Sequence, residues 1–243
     1  MDQEVVDVAS KVHYSFLPED YSDEFVEIAV TVKPKGKIGG DFCSILPLNK
    51  KKLFVSACDV TGHNIASALY ASRINTFVFA HAMQYKSPCH AINLLNTFLV
   101  QKLADTGMYA TFCAVIFDFK DRTMRFASAA QPPIIFFHNR SGQIELLRSE
   151  TTFLGFEDPL PVPCSTDQMQ INSGDKILLY SDGLIESEDK NGCILGTQGV
   201  RNFTKSHYSL RSTEFNRTLI EYMLNSNNSK IKDDILLMTV TVK

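Results

Sequence analysis

The chain has 243 residues, of which 44% are hydrophobic and 10% aromatic, so it can bury a core of the size of one large domain. The formal net charge is -3, and basic residues are scattered apart from the run Lys50, Lys51 and Lys52. Nucleic acid is therefore not an expected partner, because binding a phosphate backbone needs a concentrated basic face. No apolar run approaches the roughly 20 residues that span a bilayer, and the amino terminus lacks a secretory pattern. We expect a cytoplasmic protein with no membrane partner.

The cysteines and histidines do not suggest a zinc site. Six cysteines lie far apart without a C-x-x-C pair, and several stand inside apolar runs, at positions 43, 58, 89, 113, 164 and 193. This usage favours free buried thiols over disulfides. The six histidines are equally dispersed, and H-E-x-x-H is absent. A bound metal would therefore be expected to have oxygen ligands.

The first half of the chain predicts a helix, three strands and two further helices. An amphipathic helix is predicted from Glu4 to Leu17, just before Pro18, with its apolar face formed by Val5, Val8, Ala9, Val12 and Phe16. Alternation from Val26 predicts a strand, and two apolar runs around the turn NKKK predict a hairpin. Two helices follow, one from about Ile65 to Met83 and one that begins at Pro88.

The second half predicts mainly antiparallel strands. Four consecutive runs are predicted to be antiparallel neighbours because turn residues and short connections join them: YATFCAVIFDF, TMRFASAA, PIIFFH and QIELLR. TDQMQI, DKILLYSD and a closing DDILLMTVTV are further strands. Between the last two lie an ambiguous helical region and a helix from about Glu214 to Leu224. Strands in hairpins with helices grouped between them indicate an α+β fold rather than a parallel doubly wound sheet.

Four aspartates occupy predicted strand ends. Asp41 begins a strand, Asp59 ends one, Asp182 ends another, and Asp233 begins the last. Carboxylates gathered at a sheet edge repel one another unless a cation is present, and Mg²⁺ and Mn²⁺ prefer such oxygen ligands. An aspartate beside a glycine at a strand end is also the ordinary composition of a turn. Sequence spacing leaves both interpretations open, because it does not show that four strand ends meet.

Seven motifs, in order, resemble the bacterial SpoIIE/RsbU-type serine phosphatases of the PPM class. They are GKIGGDF, ACDVTGHNIASAL, MYATFCAVIFDF, ASAAQPPIIFF, TFLGF, SGDKILLYSDGLIES and KDDILLMTV. The resemblance extends from about Val12 to Val242. It implies a PPM-type α-β-β-α sandwich, in which two antiparallel sheets are flanked by helices. It also implies two divalent cations, Mn²⁺ or Mg²⁺, at one edge of the sandwich.

The resemblance further implies roles for individual residues. The metal ligands and catalytic residues would be Asp41, Asp59, Asp182 and Asp233, with the backbone carbonyl of Val60 as a further metal ligand. Asp234 is the alternative to Asp233, since adjacent strand residues point to opposite sides. Backbone support would come from Gly39, Gly40, Gly62 and Gly183, which could equally be ordinary turn glycines.

The implied reaction is attack of a metal-bridging hydroxide on phosphorus, without a phosphoenzyme. No C-x-x-x-x-x-R loop suggests a cysteine nucleophile instead. His63 is a possible proton donor to the leaving serine oxygen, or else it helps to fix the turn that precedes the second helix. Lys35, Lys37 and Arg73 could attract the phosphate, or could be solvated surface residues.

The sequence departs from the family patterns at two places. Asn64 stands where a glycine is usual, and we expect it to keep the turn and to start the helix at Ile65 as an N-cap residue. Ala130 and Gln131 stand where Gly-His is usual. The first hypothesis is therefore an active enzyme with a modified substrate surface. The alternative is a catalytically weak pseudophosphatase that acts as a binding module in partner switching.

The predicted domain organisation is an N-terminal helical segment, 1–20, that could be regulatory, followed by a phosphatase domain, 21–243. Few residues precede the first strand, so a signal is expected to arrive through a separate sensor or activator chain at the N-terminal helix. A homodimer is also possible. The resemblance implies a phosphorylated anti-anti-sigma protein of the STAS type as the substrate.

Overall fold

A computed structural model describes residues 3–148, 151–188, 193–224 and 231–243 of the chain. The helices are α1 (Gln3–Ser15), α2 (Ile65–His81), α3 (Pro88–Leu103), α4 (Asp182–Glu186), α5 (Gly196–His207) and α6 (Ser212–Leu224). The strands of the first half are β1 (Tyr21–Ser22), β2 (Val26–Lys33), β3 (Phe42–Asn49), β4 (Lys52–Val60), β5 (Ala110–Asp118) and β6 (Thr123–Ala129). Those of the second half are β7 (Ile134–His138), β8 (Gln143–Leu147), β9 (Asp167–Gln170), β10 (Lys176–Tyr180) and β11 (Ile235–Val242).

The strands form two antiparallel sheets. The first sheet has the order β1-β2-β11-β10-β7-β8, and the second has the order β3-β4-β5-β6-β9. Apolar side chains from the inner faces of both sheets make the central core, including Val55, Phe117, Phe136, Leu179 and Met238. Alternation along each strand directs these side chains inward. The two sheets therefore pack face to face.

Helices cover both outer faces of the sandwich. The stripe Ile92, Leu95, Leu99 and Leu103 of α3 is buried with α2 against the second sheet. Helices α4, α5 and α6 bury residues such as Leu184, Phe203 and Phe215 against the first sheet. The predicted α+β class and α-β-β-α layering are thus confirmed.

Asn64 is the N-cap of α2, as the sequence suggested. Its side-chain oxygen accepts hydrogen bonds from the backbone N–H of Ala66 at 2.8 Å and of Ser67 at 3.3 Å. The Ser67 hydroxyl in turn accepts from the backbone N–H of Asn64 at 2.9 Å, which completes a capping box. Such a cap stabilises a helix start by about 1 kcal/mol. A non-glycine residue at this position is therefore compatible with the turn.

Three expectations from the sequence need correction. Strands β6 and β7 are joined by a short connection but lie in different sheets, and so do β9 and β10. Cys89 and Cys164 form a disulfide between α3 and the segment before β9, so the expectation of free thiols is wrong for this pair. It is confirmed for Cys43, Cys58 and Cys113, which are buried and unpaired. Asp182 begins helix α4 rather than ending a strand.

Candidate active site

Four aspartates predicted from separate motifs come together at one edge of the sandwich. Asp41 directly precedes β3, and Asp59 lies near the end of β4, so both belong to the second sheet. Asp182 follows β10, and Asp233 lies just before β11, so both belong to the first sheet. The carboxylates of Asp59 and Asp182 interact electrostatically across the two sheets, as do those of Asp59 and Asp233. The site therefore lies where the two sheets meet.

The electrostatics of this group are those of buried carboxylates that lie close to one another. Burial raises the pKa of Asp41 well above its ordinary value, and the carboxylate of Asp59 raises it further. Burial and the neighbouring Asp182 likewise raise the pKa of Asp59. The pKa of Asp182 is raised by burial and then by Asp233. Each additional negative charge makes ionisation of its neighbours less favourable, so a cation would stabilise the group.

The donor set fits hard divalent cations. Asp41 is only 1% exposed, and its Oδ2 atom has no hydrogen-bond partner, which leaves a buried carboxylate oxygen available as a ligand. Across the described ranges, no group of three or more acidic, histidine or cysteine side chains could by itself hold a metal ion. Mg²⁺ does not need such a group, because it usually keeps several waters and binds one or two carboxylates. Pairs of carboxylates at an open edge suit this chemistry better than a dedicated cage.

Asp233 and its neighbour Asp234 differ in what they contact. The carboxylate of Asp234 is buried and accepts backbone hydrogen bonds from Lys35 at 2.8 Å and from Gly40 at 2.7 Å. Asp233 is half-buried, and its Oδ1 accepts the backbone N–H of Asp234 at 2.8 Å. Both oxygens of Asp234 are thus engaged by the loop before Asp41. Asp233 is the one of the pair with a carboxylate oxygen that no backbone donor occupies, and its charge acts on Asp182.

Glycines allow the backbone to come close at this edge. A Cβ atom on Gly40 would lie 2.5 Å from the carbonyl oxygen of Val60, so that carbonyl stands directly against the loop that carries Asp41. A Cβ on Gly39 would overlap the carboxylate of Asp234, and one on Gly183 would overlap the Asp234 carbonyl oxygen. Gly62 has φ +89, a left-handed conformation that favours glycine. All four predicted support glycines therefore lie around the aspartates.

Ser181 is a buried residue of the site that the sequence reasoning missed. Its hydroxyl donates to the Asp234 carbonyl at 3.3 Å and accepts the backbone N–H of Leu236 at 2.9 Å. The hydroxyl joins the end of β10 to the start of β11 and so fixes the spacing of Asp182 and Asp233. The only sequence signal is the position of Ser181 directly before Asp182, which does not distinguish it from other small polar residues at strand ends.

His63 lies on the exposed rim of the site. Its Nε2 atom is 2.9 Å from the Nζ of Lys35, and its charge acts on Asp234. Lys37 is directed elsewhere, because its Nζ pairs with Asp7 of α1 at 2.5 Å. Arg73 lies over the Phe98 ring, 5.9 Å from its centroid. Of the three cations considered from the sequence, Lys35 is therefore the one in contact with a candidate site residue.

Residues 49–243 match the sequence profile of the family described as Stage II sporulation protein E (SpoIIE). The chain is 21% identical over 239 residues to the phosphoserine phosphatase RsbU of Bacillus subtilis, covering 98% of this chain and 70% of RsbU. The SiaA-PP2C domain of Pseudomonas aeruginosa has the same fold, with a TM-score of 0.83, 18% identity and coverage of 99% of this chain and 96% of that one. RsbX, solved in complex with magnesium, has a TM-score of 0.72 at 18% identity, over 92% of this chain and 98% of RsbX.

The family match includes three of the four aspartate motifs, and the structural similarity extends over nearly the whole chain. In the part of the chain that the structure describes, no helix is both long and apolar enough to cross a bilayer. Fold, motif order and family match agree with the resemblance read from the sequence. The chain belongs to the SpoIIE family of PPM-class serine/threonine protein phosphatases.

Proposed function

We propose that the chain hydrolyses phosphoserine or phosphothreonine on a regulatory protein, with Asp41, Asp59, Asp182 and Asp233 holding two divalent cations. The observation that supports this most directly is the mutual electrostatic coupling of carboxylates that come from four separate motifs. Similarity to RsbU, a phosphoserine phosphatase, and to RsbX, solved with magnesium, supports the same assignment. Retention of all four carboxylates favours a catalyst over a binding module without activity.

The candidate ligands are the four carboxylates and the carbonyl oxygen of Val60, and the ions would be Mn²⁺ or Mg²⁺. When bound, such ions lower the pKa of water and neutralise charge on the phosphoryl oxygens. The chain's own contribution is to fix the ligand directions. Asp234 and Ser181 hold the backbone on either side of the ligands, and the glycines let the strands approach closely. This preorganisation limits the reorganisation needed at each turnover.

Release of inorganic phosphate tests the proposal. Purified wild type should release phosphate from a phosphoserine protein in Mn²⁺, and a chelator should abolish release. Asp182→Asn should reduce turnover by about 100-fold or more, since one charged ligand is lost. The exposed variant Asp121→Asn, in the turn between β5 and β6, should retain wild-type turnover. Failure of the wild type to release phosphate from phosphoproteins or aryl phosphates in Mn²⁺ would overturn the proposed activity.

His63 is proposed to donate a proton to the leaving serine oxygen. It lies at the rim, where its Nε2 atom is 2.9 Å from the Nζ of Lys35 and where it is close enough to Asp234 to offset part of the increase that burial causes in the pKa of that carboxyl. An alkoxide leaving group needs a proton much more than an aryl oxide does, because general acid catalysis depends on leaving-group basicity. His63→Gln should therefore slow hydrolysis of phosphoserine by about 10²-fold and leave aryl phosphate hydrolysis nearly unchanged. An equal loss with both substrates would indicate a structural role for His63 instead.

The proposed substrate is a phosphorylated anti-anti-sigma protein of the STAS type, in a partner-switching pathway. The support is the similarity to RsbU over 98% of this chain and 70% of RsbU, together with the family resemblance of the motifs. A phosphoserine STAS protein should be hydrolysed with a higher kcat/KM than a short phosphoserine peptide of the same local sequence. Equal values for the two would argue against recognition of a folded protein substrate.

Residues 1–20 are proposed to form a regulatory segment attached to a catalytic domain, 21–243. Helix α1 buries His13, and Phe16, directly after the helix, packs against Phe42, yet Val8 and Val12 are 57% and 60% exposed. The side chain of Val5, part of the predicted apolar face, lies outside the described side chains. Ser10 of α1 also donates to the Lys37 carbonyl at 3.0 Å, in the loop before Asp41.

The exposed valines would receive a separate activator chain or a second copy of this chain. Removal of residues 1–17 should therefore change turnover or molecular mass in solution. Val8→Ser combined with Val12→Ser should reproduce that change if the exposed face is responsible. Unchanged mass and turnover in both proteins would exclude this regulatory role.

A further inference from the structure

Gln131 makes three hydrogen bonds inside the protein when its amide is oriented to suit its neighbours. Its oxygen then accepts from the backbone N–H of Asp59 at 3.2 Å and from the Thr111 hydroxyl at 2.8 Å, and its nitrogen donates to the Tyr180 carbonyl at 3.2 Å. Asp59 and Thr111 are cross-strand partners in β4 and β5. Tyr180 is the last residue of β10, two positions before Asp182. One side chain therefore bridges the strand ends that carry two candidate ligands.

The bridge connects two sheets that are otherwise joined at their centre by apolar contacts. Ladder hydrogen bonds fix Asp59 within the second sheet, and the pairing of β10 with β11 fixes Asp182 within the first. Apolar packing between sheets is not directional, whereas hydrogen bonds constrain both distance and angle. The bonds from Gln131 thus define the separation of the two strand ends more strictly than packing does.

The backbone around Gln131 is itself constrained. Ala130 has φ 56, and its N–H donates to the Thr151 carbonyl at 3.2 Å. Pro132 and Pro133 follow, and their rings fix φ while limiting the conformation of the residue before them. Gln131 begins the crossing from β6 to β7, between the two sheets. The side chain of Gln131 is therefore held between the two sheets by a segment with a constrained backbone.

We infer that Gln131 is a positioning residue that sets the distance between Asp59 and Asp182, and through it the affinity of the site for divalent cations. This inference rests on the proposed function. It differs from a substrate-fitting role, because all three bonds of the amide run to the protein interior. Removal of a group that orients a metal ligand without contacting the metal typically lowers metal affinity or activity by about 10–100-fold.

The test measures Mn²⁺ binding in the absence of substrate, by titration followed with electron paramagnetic resonance. Gln131→Met keeps the length of the side chain and removes its hydrogen bonds, and it should raise the Kd for Mn²⁺ by about 10-fold or more. Gln131→His supplies one acceptor and one donor nitrogen and should restore most of the affinity. Gln168→Met, an exposed substitution in β9, is the matched control and should bind Mn²⁺ as the wild type does.

Steady-state kinetics separate positioning from substrate contact. Gln131→Met should lower kcat at a fixed Mn²⁺ concentration while KM for a phosphoserine peptide stays within about twofold, since only ligand geometry has changed. If Gln131→Met does not fold, Thr111→Val removes one of the three bonds and should still raise the Kd about threefold. An unchanged Kd in the folded variants, or a change in KM alone, overturns the inference.

The wild-type titration distinguishes this inference from the proposed function. A wild type that binds Mn²⁺ with an affinity equal to that of Gln131→Met overturns only the role of Gln131. A wild type that binds no Mn²⁺ overturns the metal centre, and the positioning role falls with it.

Discussion

The carboxylate of Asp234 and the backbone of Gly40 are joined by a 2.7 Å hydrogen bond, although 194 positions separate them in the sequence. The bond connects the segment before β11 to the segment before β3, and so it is a second polar link between the two sheets, in addition to the bonds of Gln131. The Asp59–Asp182 pair thus has the Gln131 bridge beside it, and the Asp41–Asp233 pair has the bond from Gly40 to Asp234.

The first prediction separates the roles of Asp233 and Asp234. Asp233→Asn should lower turnover by about 100-fold and change the free energy of unfolding in chelator by less than about 0.5 kcal/mol, because the new side chain still accepts the Asp234 N–H. Asp234→Asn replaces one acceptor oxygen with a donor that faces a backbone N–H. This substitution should lower the free energy of unfolding, measured in urea, by about 1–3 kcal/mol. A 100-fold loss of turnover in Asp234→Asn, with the loss of stability in Asp233→Asn instead, would identify Asp234 as the ligand.

The second prediction concerns the close approach of α4 to the segment before β11. Gly183→Ala places a methyl group on the Asp234 carbonyl oxygen, so the backbone must shift. We expect a loss of about 1–3 kcal/mol in the free energy of unfolding and a weaker Mn²⁺ site. Gly36→Ala is the control, because its added Cβ would be 3.7 Å from the nearest atom, the Ile38 carbonyl oxygen. Equal stability of the two variants would mean that the overlap at Gly183 is relieved without cost.

The third prediction follows from the left-handed backbone of Ala130. A non-glycine residue with φ 56 is strained by about 1–2 kcal/mol, part of which is offset by the entropy that glycine adds to the unfolded chain. Ala130→Gly should raise the free energy of unfolding by about 0.5–1 kcal/mol. Ala80→Gly, at an exposed position of α2, should lower it by a similar amount. Calorimetry or urea unfolding of both variants checks the opposite signs.

The fourth prediction is a pH dependence that arises from Lys176. This side chain is fully buried, and its Nζ donates to the Leu210 carbonyl and to the Thr241 hydroxyl. Burial lowers its pKa from 10.5 to about 8, and the carboxylate of Glu27 offsets part of that effect. Between these two values the unfolded chain binds more protons than the folded one, so the stability contribution of Lys176 increases as pH rises from 8 to 10.5.

Comparison with Lys176→Met isolates this contribution from other titrating groups. The free energy of unfolding of the wild type should rise relative to that of the variant by about 3 kcal/mol across this interval. A constant difference between wild type and Lys176→Met would mean that the buried amine titrates normally.

Secondary structure could be predicted from the sequence because the spacing of apolar residues within a segment indicates which of its faces is buried. The hairpin of β3 and β4, the helix beginning at Pro88 and the closing strand follow from alternation, helical spacing and turn residues. The crossing from β6 to β7 could not be predicted in the same way. A short connection containing proline is compatible both with a hairpin and with a step between sheets, and the choice depends on which distant strands complete each sheet.

The site shows the same limit. Motif resemblance predicted which aspartates to consider, and the structure brings Asp41, Asp59, Asp182 and Asp233 to one edge. The contacts of Asp234, Ser181 and Gln131 come from chain segments remote in sequence, and nothing in the local pattern indicates them. The disulfide of Cys89 with Cys164 escaped prediction for the same reason, because 75 positions separate the two residues.

The distribution of the candidate ligands over two sheets has a consequence for regulation and for evolution. Sliding of one sheet over the other would alter the distances between the Asp41–Asp59 pair and the Asp182–Asp233 pair while leaving each pair intact. Substitutions in the central core, at residues such as Phe136 or Leu179, can therefore tune catalysis without touching the site. A partner that shifted one sheet against the other would therefore change activity without contacting the four aspartates.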